Sequence, residues 1–252
     1  MKTIRSSIKQ AIFSRDFLIG SIGVVLVVFL SSVSDVLEAL RAEGSLPNAF
    51  HNSFMANAVR SDAMTLALPI IAALPFTASF VNDMKSGFIK YYLHRTGRRD
   101  YIAGKCTACW LSGGLVLVLG LLVSYVISAA VFIPLEDPAA GELSGSLAAG
   151  FMKSLVFVFL SGAFWSLCGL TLGAMTGSKY MAYASPFIIY YVLIILHERY
   201  FEQIRFLYPK EWIAPSSGWM PGGWGVILLL SGLTAAAAAV FHDTVKRRIS
   251  GL

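Results

Sequence analysis

Six apolar runs divide this chain, at residues 17–33, 63–81, 106–132, 154–175, 180–196 and 224–241, and none holds an Asp, Glu, Lys or Arg. A helix needs about 20 apolar residues to cross the hydrocarbon core of a bilayer, with about 17 as the short limit. Every run meets that limit. Lipid offers no partner to a broken backbone, so uncharged runs of this length are read as helices. The expectation is an all-α polytopic membrane protein, with six transmembrane helices in a single domain over residues 1–252. Composition agrees: 56% of residues are hydrophobic and 13% charged, where soluble domains carry about 25% charged residues.

Charge placement then sets a topology. With the amino terminus inside and the spans alternating, 14 of the 20 basic residues fall on the inner side, with 4 of the 14 acids. The bias follows the positive-inside rule and puts both termini in the cytoplasm. It also accounts for the +6 net charge without nucleic acid as a partner. The lipid bilayer is the first partner expected.

Residues 1–16 read MKTIRSSIKQAIFSRD. Ile4, Ile8 and Ile12 recur on one side of a helical wheel, and Arg5 and Lys9 lie elsewhere. This reads as an amphipathic interfacial helix on the membrane surface; a basic tail that only fixes topology is the plainer alternative. The charged leader and full-length first run do not suit a signal peptide, although Ser31, Ser32 and Ser34 resemble a cleavage site. Residues 34–62 are a polar connection in which Gly44 and Pro47 suggest two short helices and a turn.

Pro69 and Pro75 lie inside the second run and Pro186 inside the fifth. Each removes a backbone donor and bends its helix. Either the bent helices line a pathway, or the kinks are ordinary. Residues 134–150 read as an acidic loop. Gly169, Gly173 and Gly177 repeat every four residues, a stripe that lets helices pack closely, within the chain or between subunits. Residues 197–223 carry Trp212, Trp219, Tyr200 and Tyr208, as expected of short outer helices at the interface; a surface loop is the alternative.

Between the second and third runs lies FVNDMKSGFIKYYLHRTGRRDYIAGK, residues 80–105. It holds six bases (Lys85, Lys90, Arg95, Arg98, Arg99, Lys105) and two acids (Asp83, Asp100), interleaved with Phe88, Tyr91, Tyr92 and Tyr101. Asn82 or Asp83 suits the start of a helix and Gly97 its end. Residues 82–94 are thus expected as one cytoplasmic helix between spans two and three. Met84, Phe88, Tyr91 and Tyr92 give it an apolar side, and Gly87 permits a close backbone approach.

Several chemistries are missing from the sequence. No ionisable residue sits in a run, as proton-coupled carriers usually require; sodium coupling through carbonyls and hydroxyls stays open. The Gly97–Lys105 stretch lacks phosphate-loop spacing, with Cys106 where Ser or Thr belongs. His51, His94, His197 and His242 are scattered, so no metal is expected. Cys106-x-x-Cys109 lies in an apolar setting that suits buried thiols. The chain reads as a non-enzyme.

Six spans, an amphipathic leading helix and a basic loop after the second span resemble the permease subunits of bacterial ABC-type exporters. The resemblance is to the six-helix class that moves antibiotics, bacteriocins, peptides, lipids and polysaccharides. Phe80, Asp83, Gly87, Arg95, Tyr101, Gly104 and Lys105 match that class in order, and Asp83-Met84 departs from its commoner Glu-Arg-Glu. The resemblance implies a coupling helix, with Asp83, Met84, Lys85, Gly87, Phe88, Tyr91 and Arg95 contacting a separate cytoplasmic ABC ATPase. ATP and Mg would bind that partner, with no cofactor on this chain. A second permease subunit would complete a homo- or heterodimer in the bacterial plasma membrane. Pro69, Pro75, Thr77, Tyr183, Pro186 and Tyr190 would be pathway candidates, for cargo such as an amphipathic peptide, bacteriocin or drug. A membrane scaffold or sensor, and an ion-coupled secondary carrier, are the competing readings.

Overall fold

Prolines and glycines decide where the apolar runs stop being helix. The computed structural model describes residues 2–41, 46–89, 91, 96–137, 144–215, 219 and 223–250, and all regular structure among them is helical. Helices α1 (Lys2–Ile12) and α2 (Arg15–Ser31) meet at a bend of 46°. Ser14 starts α2 by accepting the Phe17 N–H at 3.1 Å. Next come α3 (Val33–Arg41), α4 (Phe50–Arg60) and α5 (Asp62–Ala73), the last capped by Ser61 Oγ accepting from Met64 N–H at 3.2 Å. After α6 (Ser79–Lys85) follow four long helices: α7 (Arg98–Phe132), α8 (Ser144–Thr176), α9 (Lys179–Tyr200) and α10 (Trp224–Ser250).

Among the described residues these four are long and apolar enough to cross a membrane, and the bent α1–α2 pair counted as one span makes five. That is compatible with a membrane protein. Run 63–81 differs from expectation. It is two helices, α5 of 12 residues and α6 of 7, separated by turns over 74–78. Pro75 lies in the break. It has no N–H to give, and its ring would press on the carbonyl four residues back. The chain instead closes short turns, Leu74 N–H to Ile71 O at 3.1 Å and Ser79 N–H to Phe76 O at 3.1 Å. Pro69, by contrast, stays inside α5, and Pro186 inside α9.

The expected helix over 82–94 is corrected as well. Its first part belongs to α6, which begins at Ser79, the chain turns at Ser86 and Gly87, where Gly87 has φ +72°, and Phe88, Ile89 and Tyr91 are helical again, so a break replaces one continuous helix. An L side chain is strained there, which is why glycine ends the element. Lys90 and residues 92–95, with Arg95 among them, lie outside the described residues. Two helices also outrun their apolar cores: α7 starts eight residues before Cys106, and α8 starts at Ser144 inside the expected acidic loop. Hydropathy marks the stretch that suits lipid, whereas a helix continues until its backbone bonds end.

The most extensive helix pair is α7 with α8. A Cβ on Gly113 would fall 2.2 Å from Ser166 Cβ and 2.9 Å from the Gly162 carbonyl, so the two backbones nearly touch. Cys109 Sγ and Ser166 Oγ lie 2.8 Å apart, and Ser166 Oγ–H also reaches Cys109 O at 3.0 Å. The remaining helices flank this spine, with α1 and α2 on α7 and α9 and α10 on α8. Gly169 and Gly173 seat Ala182 of α9, so the glycine stripe serves packing within the chain. Gly177 instead makes the turn into α9, at φ +69°.

One apolar cluster joins Ala11, Phe80, Tyr101, Leu170, Phe241 and Val245, which puts α1 and the end of α10 at the same end of the bundle. A larger cluster fills the rest. Trp212, expected at the interface, is 2% exposed and stacked on Trp165 at 5.8 Å. The chain after α9 forms 3-10 turns at Arg205–Leu207 and Pro209–Trp212, pinned by Lys210 Nζ to Asp62 Oδ1 at 2.8 Å. Burial of the ring is allowed because its Nε1–H donates to Phe206 O at 3.1 Å.

Gly113→Ala is expected to lower the thermal unfolding midpoint of the detergent-solubilised protein, at a cost of about 1–3 kcal/mol for overpacking. A Cβ on Gly232, in α10, meets nothing within 4 Å. Gly232→Ala is therefore expected to hold the midpoint or raise it, by up to about 1 kcal/mol of helix propensity.

Candidate functional site

The bundle end that holds α1 also carries an ion pair between a half-buried aspartate and a buried lysine. Asp83 leaves α6 toward α7, where Lys105 Nζ meets its Oδ2 at 2.8 Å. Tyr101, one turn earlier on α7, donates its hydroxyl to the same Oδ2 at 2.7 Å. Lys105 is 4% exposed, and its ammonium lies 4.8 Å from the centre of the Phe76 ring. The Asp83 carboxylate and an aromatic face thus replace water around the ammonium, and the carboxylate has the Tyr101 hydroxyl as its second donor. A charge out of water is tolerated only with such partners.

Above the pair lies a cleft of about 640 Å³ between α1, α6, the start of α7 and the start of α9. A smaller chamber of about 170 Å³ continues inward to the 74–78 turns and α9. Gln10, Asn82, Asp83 and Lys105 border both, so the ion pair stands at the junction. Lys85 and Lys179 stand exposed on the rim of the larger cleft.

The other sequence-derived residues divide by place. Met84 packs into the cluster beneath α6. A Cβ on Gly87 would meet nothing within 4 Å, and beyond it Phe88 is 47% and Tyr91 81% exposed. Asp83 therefore faces Lys105 and Tyr101, Phe88 borders the larger cleft half-exposed, and Tyr91 stands exposed. On α1, Ile8 packs against the same cluster as Met84, and Ile12 against the larger one. A Cβ on Gly104 would lie 3.7 Å from Ile4 Cα, so α1 rests on the foot of α7. The expected membrane-surface helix thus has much of its apolar side on protein.

The pathway candidates are not one group. Pro75 and Tyr183 line the inner chamber. Thr77 and Pro186 meet at Gly169, each 3.0 Å from its would-be Cβ. Pro69 is buried in α5. Tyr190 is 1% exposed and packs edge-on to Trp165 at 5.7 Å.

Two features escaped the sequence reading. The inward role of Lys105 and Tyr101 was one; its signal was Asp83 and Lys105, at facing edges of neighbouring runs and hence at one depth. The other lies at the opposite end, where the Glu136 carboxylate accepts from the backbone N–H groups of Ala49 at 3.1 Å and His51 at 2.8 Å, with His51 Nδ1 at 2.7 Å. Glu136 caps α4 from 85 residues away, a distance no local motif reports. Among the described residues no group of His, Cys, Asp and Glu could hold a metal ion.

Asp83→Ala is expected to destabilise the protein by about 3–5 kcal/mol, because it leaves the Lys105 charge buried alone. The double change Asp83→Leu with Lys105→Met is expected to recover most of that loss, as read by unfolding midpoints of the solubilised variants. Comparison with family models and with characterised proteins finds no match to this chain.

Proposed function

We propose that this chain is the transmembrane subunit of an ATP-driven ABC exporter, pairing with a second permease subunit and coupled to separate ATP-binding subunits. One observation carries the reading. The segment after α5 is fastened to α7 by the Asp83–Lys105–Tyr101 network, while its aromatic tip, Phe88 and Tyr91, stands exposed beyond the Gly87 turn. A segment that transmits force needs a rigid root and an exposed contact surface. Both features are present within nine residues of sequence. The ordered match of Phe80, Asp83, Gly87, Arg95, Tyr101, Gly104 and Lys105 to the exporter class supports the same reading.

In this proposal the chain crosses the bacterial plasma membrane six times, with the α5–α6 segment as a broken second crossing and both termini inside. The tip at Phe88 and Tyr91 seats in a groove of a cytoplasmic ATPase, which binds ATP and Mg. Differential contacts between ATPase states then move α6, and through the ion pair α7. The inner chamber bordered by Pro75 and Tyr183 is the cytoplasmic mouth of the path. An apolar, hydroxyl-bearing route suits an amphipathic peptide, bacteriocin or drug.

Phe88→Asp and Tyr91→Asp alter exposed positions and are expected to leave yield and unfolding midpoint near wild type. Both are expected to reduce the copurifying ATPase, and its cargo-stimulated turnover, by at least about tenfold, the value of 1.4 kcal/mol at a contact. Wild-type recovery of the ATPase with both variants would remove this contact from the proposal. Topology has its own check: Tyr91→Cys should react with a membrane-impermeant maleimide only after cells are opened, and Leu37→Cys, 46% exposed on α3, in intact cells.

A further inference from the structure

The larger cleft has a chemistry that force transmission does not use. Three lysines border it, Lys85 from α6, Lys105 from α7 and Lys179 from the start of α9. Among the described residues the one carboxylate bordering it, Asp83, is already engaged by Lys105 and Tyr101. Lys85 and Lys179 have no ion-pair partner among the described residues. The opposite wall, on α1, offers neutral donors in Ser6 and Gln10, and Asn82 adds an amide. Two unneutralised ammonium groups with hydroxyl and amide donors match a phosphate, whose oxygens accept from all of them. The volume of about 640 Å³ lies within the about 300–1,000 Å³ of ligand sites.

We infer that this cleft binds the phosphate-bearing headgroup of an anionic phospholipid. Three observations favour a lipid over a soluble phosphate. One wall of the cleft is α1, an amphipathic helix that bends by 46° into the apolar helix α2. Below it, α2 exposes Leu18, Ile19 and Ile22, each 60% exposed or more, an apolar bed for acyl chains. The cleft also lacks the glycine-rich backbone cradle of nucleotide phosphate sites. Basic pockets between helix ends are where anionic headgroups bind. Asp16 borders only the inner chamber, which disfavours anions there and holds the headgroup in the outer cleft.

The test uses the full chain in neutral detergent, without any ATPase, so its failure leaves the exporter proposal intact. Short-chain phosphatidylglycerol, phosphatidylcholine with the same chains, and inorganic phosphate are titrated in turn, and bound ligand is read by native mass spectrometry. Phosphatidylglycerol is expected to bind at least about tenfold more tightly than phosphatidylcholine. The K85Q/K179Q variant is expected to lose about tenfold or more of that affinity, each lysine contributing as a base near an anionic surface does. Lys153→Gln, at the other end of the bundle, should bind like wild type. Equal phosphatidylglycerol affinity in K85Q/K179Q and wild type overturns the site. Equal binding of phosphatidylcholine, or displacement of phosphatidylglycerol by an equal concentration of inorganic phosphate, overturns its assignment to an anionic lipid. A monodisperse elution profile for K85Q/K179Q shows that the exposed substitutions leave the fold in place.

Discussion

The near contact of two backbones, α7 at Gly113 and α8 at Gly162, sets the position of everything else in this molecule. Lipid tails are as apolar as leucine, so helices in a bilayer gain little by hiding apolar surface from each other. They gain by dispersion contact and by hydrogen bonds, which require close approach. Gly113 and Gly162 supply the approach, and Cys109 and Ser166 supply the bonds across it. The same device recurs outward. Gly120 of α7 admits Val24 of α2, whose Cβ would lie 2.4 Å from an added methyl. Gly173 of α8 admits Ala182 of α9 at 2.6 Å. The bundle is assembled from small-residue contacts that radiate from one crossing.

The two ends of the bundle carry different polar networks. At the α1 end, a single carboxylate organises two elements, and its partners are an ammonium and a phenol. At the other end Glu136 gathers backbone donors and the His51 ring, while Tyr125 donates to Asn52 Oδ1 at 2.8 Å and stacks on Phe151 at 4.9 Å. Each carboxylate fastens a helix too short to hold itself: Asp83 lies in α6, and Glu136, from beyond α7, caps α4. α6 has 7 residues and α4 has 11, below the about 12–15 that an isolated helix needs in water. Polar tertiary bonds substitute for the missing length.

Much of this was legible in the sequence. The uncharged runs gave the long helices, because a bilayer tolerates so few alternatives. The two short helices between the first and second runs followed from Gly44 and Pro47, the intrachain use of Gly169 and Gly173 was one of two stated options, and of the two thiols expected to be buried Cys109 is buried and Cys106 half-buried. The break at 74–78 was less legible. Pro69 and Pro75 look alike in a window of hydropathy, yet one stays in a helix and the other ends it. The difference depends on which neighbours can re-satisfy the freed carbonyl, a tertiary fact. Trp212 misled for a related reason: an indole suits an interface, but it suits a core equally once a carbonyl accepts its N–H. For the candidate site, the sequence supplied Asp83 with its correct segment but faced it toward a partner, since an isolated motif carries no information about what lies across the bundle.

That inward turn of Asp83 changes how the segment can work. A seven-residue helix held only by apolar packing could slide or roll on its neighbour at little cost, because dispersion contacts are non-directional. An ion pair with a second hydrogen bond on the same oxygen is directional, and separating it leaves a lysine buried without a partner. The root of α6 is therefore held in place and in register with α7. Compliance is left to the next residues, where Gly87 occupies a conformation with open space around it. In the proposed exporter, a push on the exposed aromatics beyond Gly87 would be divided between flexing of the glycine turn and transmission through the Asp83–Lys105 pair to α7. At Gly113 the spine leaves no room between α7 and α8, so α7 cannot approach α8 more closely there.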